Sequence, residues 1–400
     1  MRPRALKEQR RSKPDNPMIR YLSAIFLGFC FLVPVPAQSS KPPESRKSEN
    51  VSPGVEHIEI RRGDFSSDTA GDRWTINLLV VDPEAVRLKL GQAMDEVAGA
   101  ETTTSLAARH NAIAAVNGGY FRTTGPARGE PVGVLAINGM VLSEPVRNRA
   151  SLAVRNDPNG ISLGFAHFSL AAHLLVNGKI SREINGLNRP RDPKDQQDLV
   201  VFTPEFHRTT LTDPDGVEIT VVNGQVTSIS DRSGSSPIPH NGFIVSAGGK
   251  ARDWALINLK RGVRLAVKLD LKADPVIAFK PDYILGGGPQ LIAGNKTVIQ
   301  AEEQAYAESF FRARHPRTAI GRRADGKIVM VVVDGRQPKK SVGMTIEELA
   351  GLMSELGCVE ALNLDGGGSS TMVIRNKIVN NPSDATGERP VSDALMIVAR

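Results

Sequence analysis

Two aspartates carry the clearest chemical promise in this sequence, and both stand where an apolar run meets glycine. Asp365 lies in Asn363-Leu364-Asp365-Gly366-Gly367-Gly368-Ser369-Ser370-Thr371, and Asp334 in Val333-Asp334-Gly335-Arg336. Paired carboxylates are the usual groups of glycoside cleavage, flanking the scissile bond. Successive glycines let a ligand come close to the backbone, and inward-facing N–H groups can hold an anion such as phosphate. A plain hairpin needs only about two turn residues. A carboxylate, three glycines and three hydroxyls in a row therefore point to a binding loop. An Asp before Gly is also ordinary turn chemistry; the functional reading rests on the rule that chemistry sits on loops held by a rigid scaffold.

Two more loops share this grammar, Asn117-Gly118-Gly119-Tyr120-Phe121 and Gly286-Gly287-Gly288-Pro289-Gln290. Arg317, Arg336 and Arg389 are candidates for an oxyanion, since guanidinium matches phosphate in a bidentate fork; each taken alone reads as well as a solvated surface residue. The polar stretch Asn381-Pro382-Ser383-Asp384, continuing to Arg389-Pro390-Val391, precedes the last strand and reads either as a loop closing over the site or as an ordinary terminal loop. Other chemistries are excluded. Gly160-Ile161-Ser162-Leu163-Gly164 matches G-x-S-x-G, but its flanks read as strand and turn, not strand and helix. Gly286–Gly288 lacks the Lys-Ser/Thr of a P-loop, and the scattered histidines do not make a zinc site. No cofactor is required. Asp334, Asp365 and backbone oxygens leave room for a hard cation such as Ca²⁺.

The elements that must position these residues follow from periodicity. Lys327–Val333 is a β-branched strand ending at Asp334. Thr345 and Glu348 make a capping box for a helix running to Leu356, Gly357 stops it, and Val359–Leu364 is the next strand. This predicts a parallel pair with a right-handed crossover, placing Asp334 and Asp365 at one sheet edge, where open α/β sheets bind ligands. Helices are expected over Thr103–Asn111 and Ala301–Arg312. Asn138-Gly139 between apolar runs is a hairpin. Residues 171–275 read as many short strands and turns, a β-rich insertion. The fold class is α+β: a mixed sheet with a C-terminal βαβ unit and a β-rich inserted subdomain.

Of the net charge of +7, residues 1–20 carry +5. The basicity belongs to a leader, so no nucleic-acid patch is expected on the remainder. An apolar run from Tyr21 and a small-residue site at Val35-Pro36-Ala37 complete a secretory signal peptide over residues 1–37, with Met1 or Met18 as its start. The apolar run, about 14 residues, is short for the roughly 20 that span a bilayer. The chain is expected to be exported, periplasmic or extracellular, touching membrane only through an uncleaved signal peptide. Residues 38–53 are polar and Pro/Ser-rich and read as a disordered linker. Residues 54–400 are expected to form the folded domain, with 171–275 as its β-rich insertion. Without the leader one cysteine remains, Cys358, which excludes an intrachain disulfide and predicts a buried, inert thiol.

Five motifs in order resemble the phosphodiester glycosidase family: Asn117–Phe121, Gly286–Gln290, Arg317–Gly321, Val333–Arg336 and Leu362–Ser370. Asn381–Asp384 with Arg389–Val391 fits as well, and the resemblance runs over about residues 75–400. It implies an exported bacterial hydrolase that cuts the glycosidic C1–O bond of a sugar-1-phosphodiester, of the N-acetylglucosamine-1-phosphodiester type, in an envelope or extracellular glycan. Of Asp334 and Asp365, one would protonate the leaving phosphate or stabilise the oxocarbenium-like centre, and the other would activate water or attack. Arg317 and the amides of Gly118, Gly287, Gly288, Gly366, Gly367 and Gly368 would hold phosphate, with Arg336, Ser369, Ser370, Ser383, Asp384 and Arg389 lining the site. Asn117 and Asn363 would orient sugar hydroxyls. The alternatives are a non-catalytic polysaccharide-binding or assembly protein and an exopolysaccharide phosphotransferase.

Overall fold

The computed structural model describes residues 43–66, 72–146, 148–299 and 306–400. The proposed signal peptide lies outside these residues. Among them the chain is mostly β-sheet with few helices, and no helix is long and apolar enough to cross a membrane.

The largest sheet has eight strands, ordered Glu44–Ser52, Val55–Arg62, Trp74–Val81, Ile328–Val333, Arg317–Arg323, Cys358–Asn363, Gln290–Ala293 and Lys296–Thr297. Alternation along Ile328–Val333 shows why it sits at the centre. Ile328, Met330 and Val332 enter one apolar core, while Val329, Val331 and Val333 enter another. Side chains of a strand point alternately to opposite faces, so a strand apolar at every position must be covered on both. One cover is the helix Ile346–Glu355, through Ile346, Leu349, Leu352 and Met353. Its start is the expected capping box: Thr345 Oγ1 accepts from the Glu348 N–H at 3.1 Å and the Glu348 carboxylate from the Thr345 N–H at 2.9 Å.

The other cover is a five-stranded sheet, ordered Lys377–Ile378, Met372–Ile374, Ala114–Asn117, Asp393–Ala399 and Val86–Gln92. Its Val116, Met372, Leu395 and Ile397 share a core with Met330, Val332, Leu362 and Leu364 of the first sheet. A seven-stranded sheet is built around the 17-residue strand Gly160–Val176, which pairs with Leu265–Asp274. Between those two strands, residues 186–247 supply a separate five-stranded sheet with its own core around Val201, Ile219 and Val245.

Several expectations are corrected. Glu44–Ser52 is not a linker but an edge strand on Val55–Arg62; backbone pairing overrides its polar composition, and seven of its nine residues face solvent. Ile328–Val333 and Cys358–Asn363 run the same way but are not partners: Arg317–Arg323 lies between them, antiparallel to both. Both strands still deliver their terminal aspartates to one edge. The helix expected over 301–312 begins at Glu308 among the described residues. Gly249–Asn258 is a helix within the tract read as β.

Candidate active site

The glycine-rich loop is no hairpin. It leaves the large sheet at Asn363 and enters the five-stranded sheet at Met372, so Asp365–Thr371 bridges the two layers. Asn117, fully buried, fastens the bridge: its Nδ2 donates to the Asp365 carbonyl at 2.8 Å, and its Oδ1 accepts from Thr318 Oγ1 at 2.8 Å and the Thr371 N–H at 3.2 Å. Asn363 is also inward-facing. Its Nδ2 donates to Tyr120 Oη at 2.8 Å, the Gly288 carbonyl at 2.9 Å and the Leu364 carbonyl at 2.8 Å, while its Oδ1 has no partner. Both asparagines thus join loops; Asn117 has both side-chain atoms engaged, while Asn363 keeps its Oδ1 without a partner.

The loop amides are likewise engaged within the protein. Gly366 N–H donates to Asp365 Oδ1 at 2.9 Å and Gly367 N–H to the Pro316 carbonyl at 2.8 Å. Those of Ser369 and Ser370 close the turn on Gly366 and Gly367. Ser369 is buried, and Ser370 Oγ lies 3.2 Å from Thr318 Oγ1. The Gly287 and Gly288 carbonyls accept from Tyr306 and Tyr120 hydroxyls at 3.0 and 2.7 Å. A nest of free N–H groups is therefore not what these glycines build. Gly368 shows what they do build: a Cβ there would stand 2.1 Å from Asp384 Oδ1 and 2.2 Å from Arg389 Nη2. The absent side chain lets the Asp384–Arg389 ion pair, at 2.7 Å, lie directly on the loop.

The two expected catalytic aspartates have different surroundings. Asp334 is fully buried, and its carboxylate accepts from Asn380 Nδ2 at 3.0 Å, Asn381 N–H at 2.9 Å and Asn381 Nδ2 at 2.9 Å. It pins the 380–381 turn. Burial still pushes its carboxyl above the ordinary aspartate value, against the pull of those donors. Asp365 is half-buried, and burial pushes its carboxyl up to about 6 while Ser369, the Gly366 N–H and Arg389 oppose the rise. A carboxyl poised near neutrality can give and take a proton at working pH.

Positive charge gathers around it. Arg317, 1% exposed, donates through Nε to the Met344 carbonyl at 2.8 Å and through Nη2 to the Phe310 and Ala313 carbonyls, both at 2.9 Å. Its guanidinium lies 4.9 Å from the Phe310 ring centre, and burial lowers its pKa to about 10. Arg336 holds φ at 59°, a strained conformation for a side chain of this size. Its Nη2 lies 2.9 Å from where a Gly367 Cβ would be, and its Nε donates to His315 Nδ1 at 3.3 Å. Arg149, which sequence reasoning passed over, lies 4.5 Å from the centre of Tyr306, itself stacked on Phe310. Among the described residues, none of Arg149, Arg317 and Arg336 forms an ion pair with a carboxylate. Beside the Asp384–Arg389 pair opens a cavity of about 310 Å³, lined also by Phe121, Thr123, Arg128 and Thr386. Ser383, next to it in sequence, keeps a buried hydroxyl without a partner. The described residues contain no group of three or more His, Cys, Asp or Glu able to hold a metal, and both Asp334 oxygens already accept hydrogen bonds from N–H donors.

Residues 216–398 match the phosphodiester glycosidase family. The match bears out the family resemblance over that span, which holds Asp334, Asp365, Arg317, Arg336, Arg389 and both carboxylate-bearing loops and leaves Asn117–Phe121 outside it. Among relatives, an SPbeta prophage-derived protein of Bacillus subtilis, YomE, is 46% identical over 84 residues, 21% of this chain and 13% of the relative. Human N-acetylglucosamine-1-phosphodiester α-N-acetylglucosaminidase is 33% identical over 85 residues, 21% of this chain and 16% of the relative. The matched segments are therefore small parts of both relatives. In fold, a crystal structure of a Burkholderia pseudomallei protein described as exported superposes with a TM-score of 0.78 at 24% identity, over 89% of this chain and 97% of that one.

Tyr120, Tyr306, Arg149 and Asp393 also pack around the candidate site. Tyr120 lies within the Asn117–Phe121 motif, which is its signal in the sequence. Tyr306, Arg149 and Asp393 carry no local pattern.

Proposed function

We propose that this chain hydrolyses the glycosidic bond of a sugar-1-phosphodiester, with Asp365 as the reacting carboxylate. One observation carries the reading: a carboxyl poised near 6 stands on a loop against which Arg317 and Arg336 pack at Gly366 and Gly367, and neither arginine forms an ion pair with a carboxylate among the described residues. Guanidinium groups left unpaired at a site suit an anionic ligand, and a phosphodiester brings one negative charge to each bond it links.

In this reading the protonated Asp365 delivers its proton toward the bridging oxygen as the C1–O bond breaks. Phosphate is already a weak base, so the step needs less acid assistance than loss of an alcohol. Arg317 and Arg336 face the phosphate, and their fixed positions supply charge stabilisation without reorganisation during the reaction. Arg317 is held by three carbonyls and stacked on Phe310, so it cannot swing away. Asp384, on the far side of Gly368, is the second carboxylate of the site and activates water. Asp334 acts at one remove, by holding Asn380 and Asn381 and through them the loop that carries Asp384. The arginines provide the positive charge, and no cofactor is needed. The substrate is a glycan of the cell envelope or the extracellular space, reached by export through the N-terminal leader.

The test is direct. The purified chain is incubated with a panel of sugar-1-phosphodiesters, including N-acetylglucosamine-1-phosphodiesters, and free sugar and phosphomonoester are measured. Release of both, abolished by Asp365→Asn, supports the reading. No release across the panel, with glycan binding intact, refutes it in favour of a non-catalytic binding protein.

A further inference from the structure

Asp393 opens the strand Asp393–Ala399 behind the site and is 1% exposed. Its Oδ1 accepts from the Gly119 N–H at 2.8 Å, its other oxygen accepts from the Ser392 hydroxyl, and its carbonyl accepts from the Gly118 N–H at 3.0 Å. Among the described residues it pairs with no cation. Gly118 is pressed so closely against it that a Cβ would stand 1.9 Å from Oδ1. From Gly118 the contact continues to Asp365, whose N–H donates to the Gly118 carbonyl at 3.1 Å. Asn117 holds the Asp365 carbonyl from the same segment. Both ends of the Asp365 backbone thus rest on residues 117–118, and those rest on Asp393.

The choice of residue type is the informative point. An asparagine could accept from Gly119 through its oxygen and donate to Ser392 through its amide, keeping every hydrogen bond. Burying an unpaired carboxylate instead is costly. The hydrogen bonds alone do not require a carboxylate at this position, and burial raises the Asp393 carboxyl above the ordinary aspartate value.

We propose that Asp393 is a positioning residue of the reaction: it anchors the backbone that fixes Asp365 and sets a second buried negative charge behind it. This rests on the reading of Asp365 as the reacting carboxylate. The groups facing Asp365 are Ser369 and the Gly366 N–H from its own loop, Arg389 from the 384–389 loop, Tyr120 and Tyr306 across the aromatic cluster, and Asp393 from the last strand. Ser369, Gly366 and Arg389 favour the Asp365 anion. Asp393, when ionised, works against that anion and favours the protonated Asp365.

Two full-length variants separate anchoring from charge. Asp393→Asn keeps the hydrogen bonds and removes the charge; Asp393→Ala removes both. Asp365 ionisation is read by ¹³C NMR of side-chain-labelled aspartate, with the resonance assigned through Asp365→Asn. In Asp393→Asn the Asp365 midpoint falls by about half a pH unit or more, and the alkaline limb of the kcat/KM profile moves down with it. In Asp393→Ala, kcat on the sugar-1-phosphodiester drops about tenfold or more with KM little changed, as expected when a reacting group is loosened. An unmoved midpoint in Asp393→Asn overturns the inference, even if Asp393→Ala fails to fold. The titration needs no turnover, so it decides the role of Asp393 whether or not the hydrolase reading survives the substrate panel.

Discussion

Replacing Asp365 by asparagine should make the protein more stable while it destroys the proposed activity. Burial raises the Asp365 carboxyl to about 6 in the folded chain, against an ordinary value of about 3.9. The difference corresponds to about 3 kcal/mol. Its sign follows from linkage. A carboxyl raised on folding is comfortable while protonated in both states, below the ordinary value. As pH climbs through about 6, the folded protein must accept a charge it disfavours, and stability declines. Above that window the whole penalty is present. Asparagine carries no charge at any pH, so Asp365→Asn should exceed the parent by about 3 kcal/mol at pH 7.5 and match it near pH 3.5. For a chain of this size that is roughly 4 °C in Tm. Activity moves the other way: loss of a proton-transferring group lowers kcat by about 10²–10⁴-fold. The parent's activity should fall on the alkaline side of about pH 6, where Asp365 gives up its proton. The assay is thermal unfolding of both proteins across pH 3.5–8, alongside release of free sugar. Equal Tm values at pH 7.5, or a difference that grows toward acid, would refute the account of Asp365 as a carboxyl strained by burial. An active Asp365→Asn protein would refute its catalytic role.

Other perturbations test its neighbours. Asp334→Ala leaves the donors of Asn380 and Asn381 unpaired in a buried place and should cost about 3 kcal/mol, seen as a lower urea midpoint, with activity falling because the Asp384 loop is freed. Gly368→Ala must push the Asp384–Arg389 pair off the loop; kcat should drop about tenfold or more while the circular dichroism spectrum is unchanged. Arg317→Lys cannot reproduce a planar fork bonded to three carbonyls, and KM for a sugar phosphodiester should rise about 10- to 100-fold. On the proposed reading arginines supply the positive charge, so EDTA should leave turnover unchanged; loss restored by Ca²⁺ would overturn that view.

How far the sequence alone leads depends on where the deciding partner lies. Asp365 and its glycines announce themselves because the strand, the carboxylate and the loop are contiguous. So does the helix after Thr345, because a capping box is a four-residue signal. The strand Glu44–Ser52 is hidden for the opposite reason: its polar composition argues against structure, and only a partner ladder across Val55–Arg62 makes it a strand. The helix Gly249–Asn258 lacks a clear apolar stripe and so resembles the turns around it. The insertion of Arg317–Arg323 between two parallel strands is a pairing decision, and periodicity carries no information about which strand sits beside which.

The same distinction governs the site. The sequence names the residue types of the candidate site, but the contacts of each are made far away in sequence. Asn117 looks like a ligand-binding asparagine until Thr318, Asp365 and Thr371, the last two about 250 positions distant, consume its side chain. Asp334 and Asp365 look equivalent, each a carboxylate before glycine at a strand end. What separates them is that two asparagines satisfy one with three hydrogen bonds, while the other accepts from a single loop amide and has Arg389 as its opposing charge. The glycines, read as phosphate-binding amides, serve instead to admit neighbours too close for any side chain: Asp393 at Gly118 and the Asp384–Arg389 pair at Gly368. A glycine in such a motif therefore identifies a place of close approach, and the structure is needed to say whether a ligand or the protein itself is what approaches.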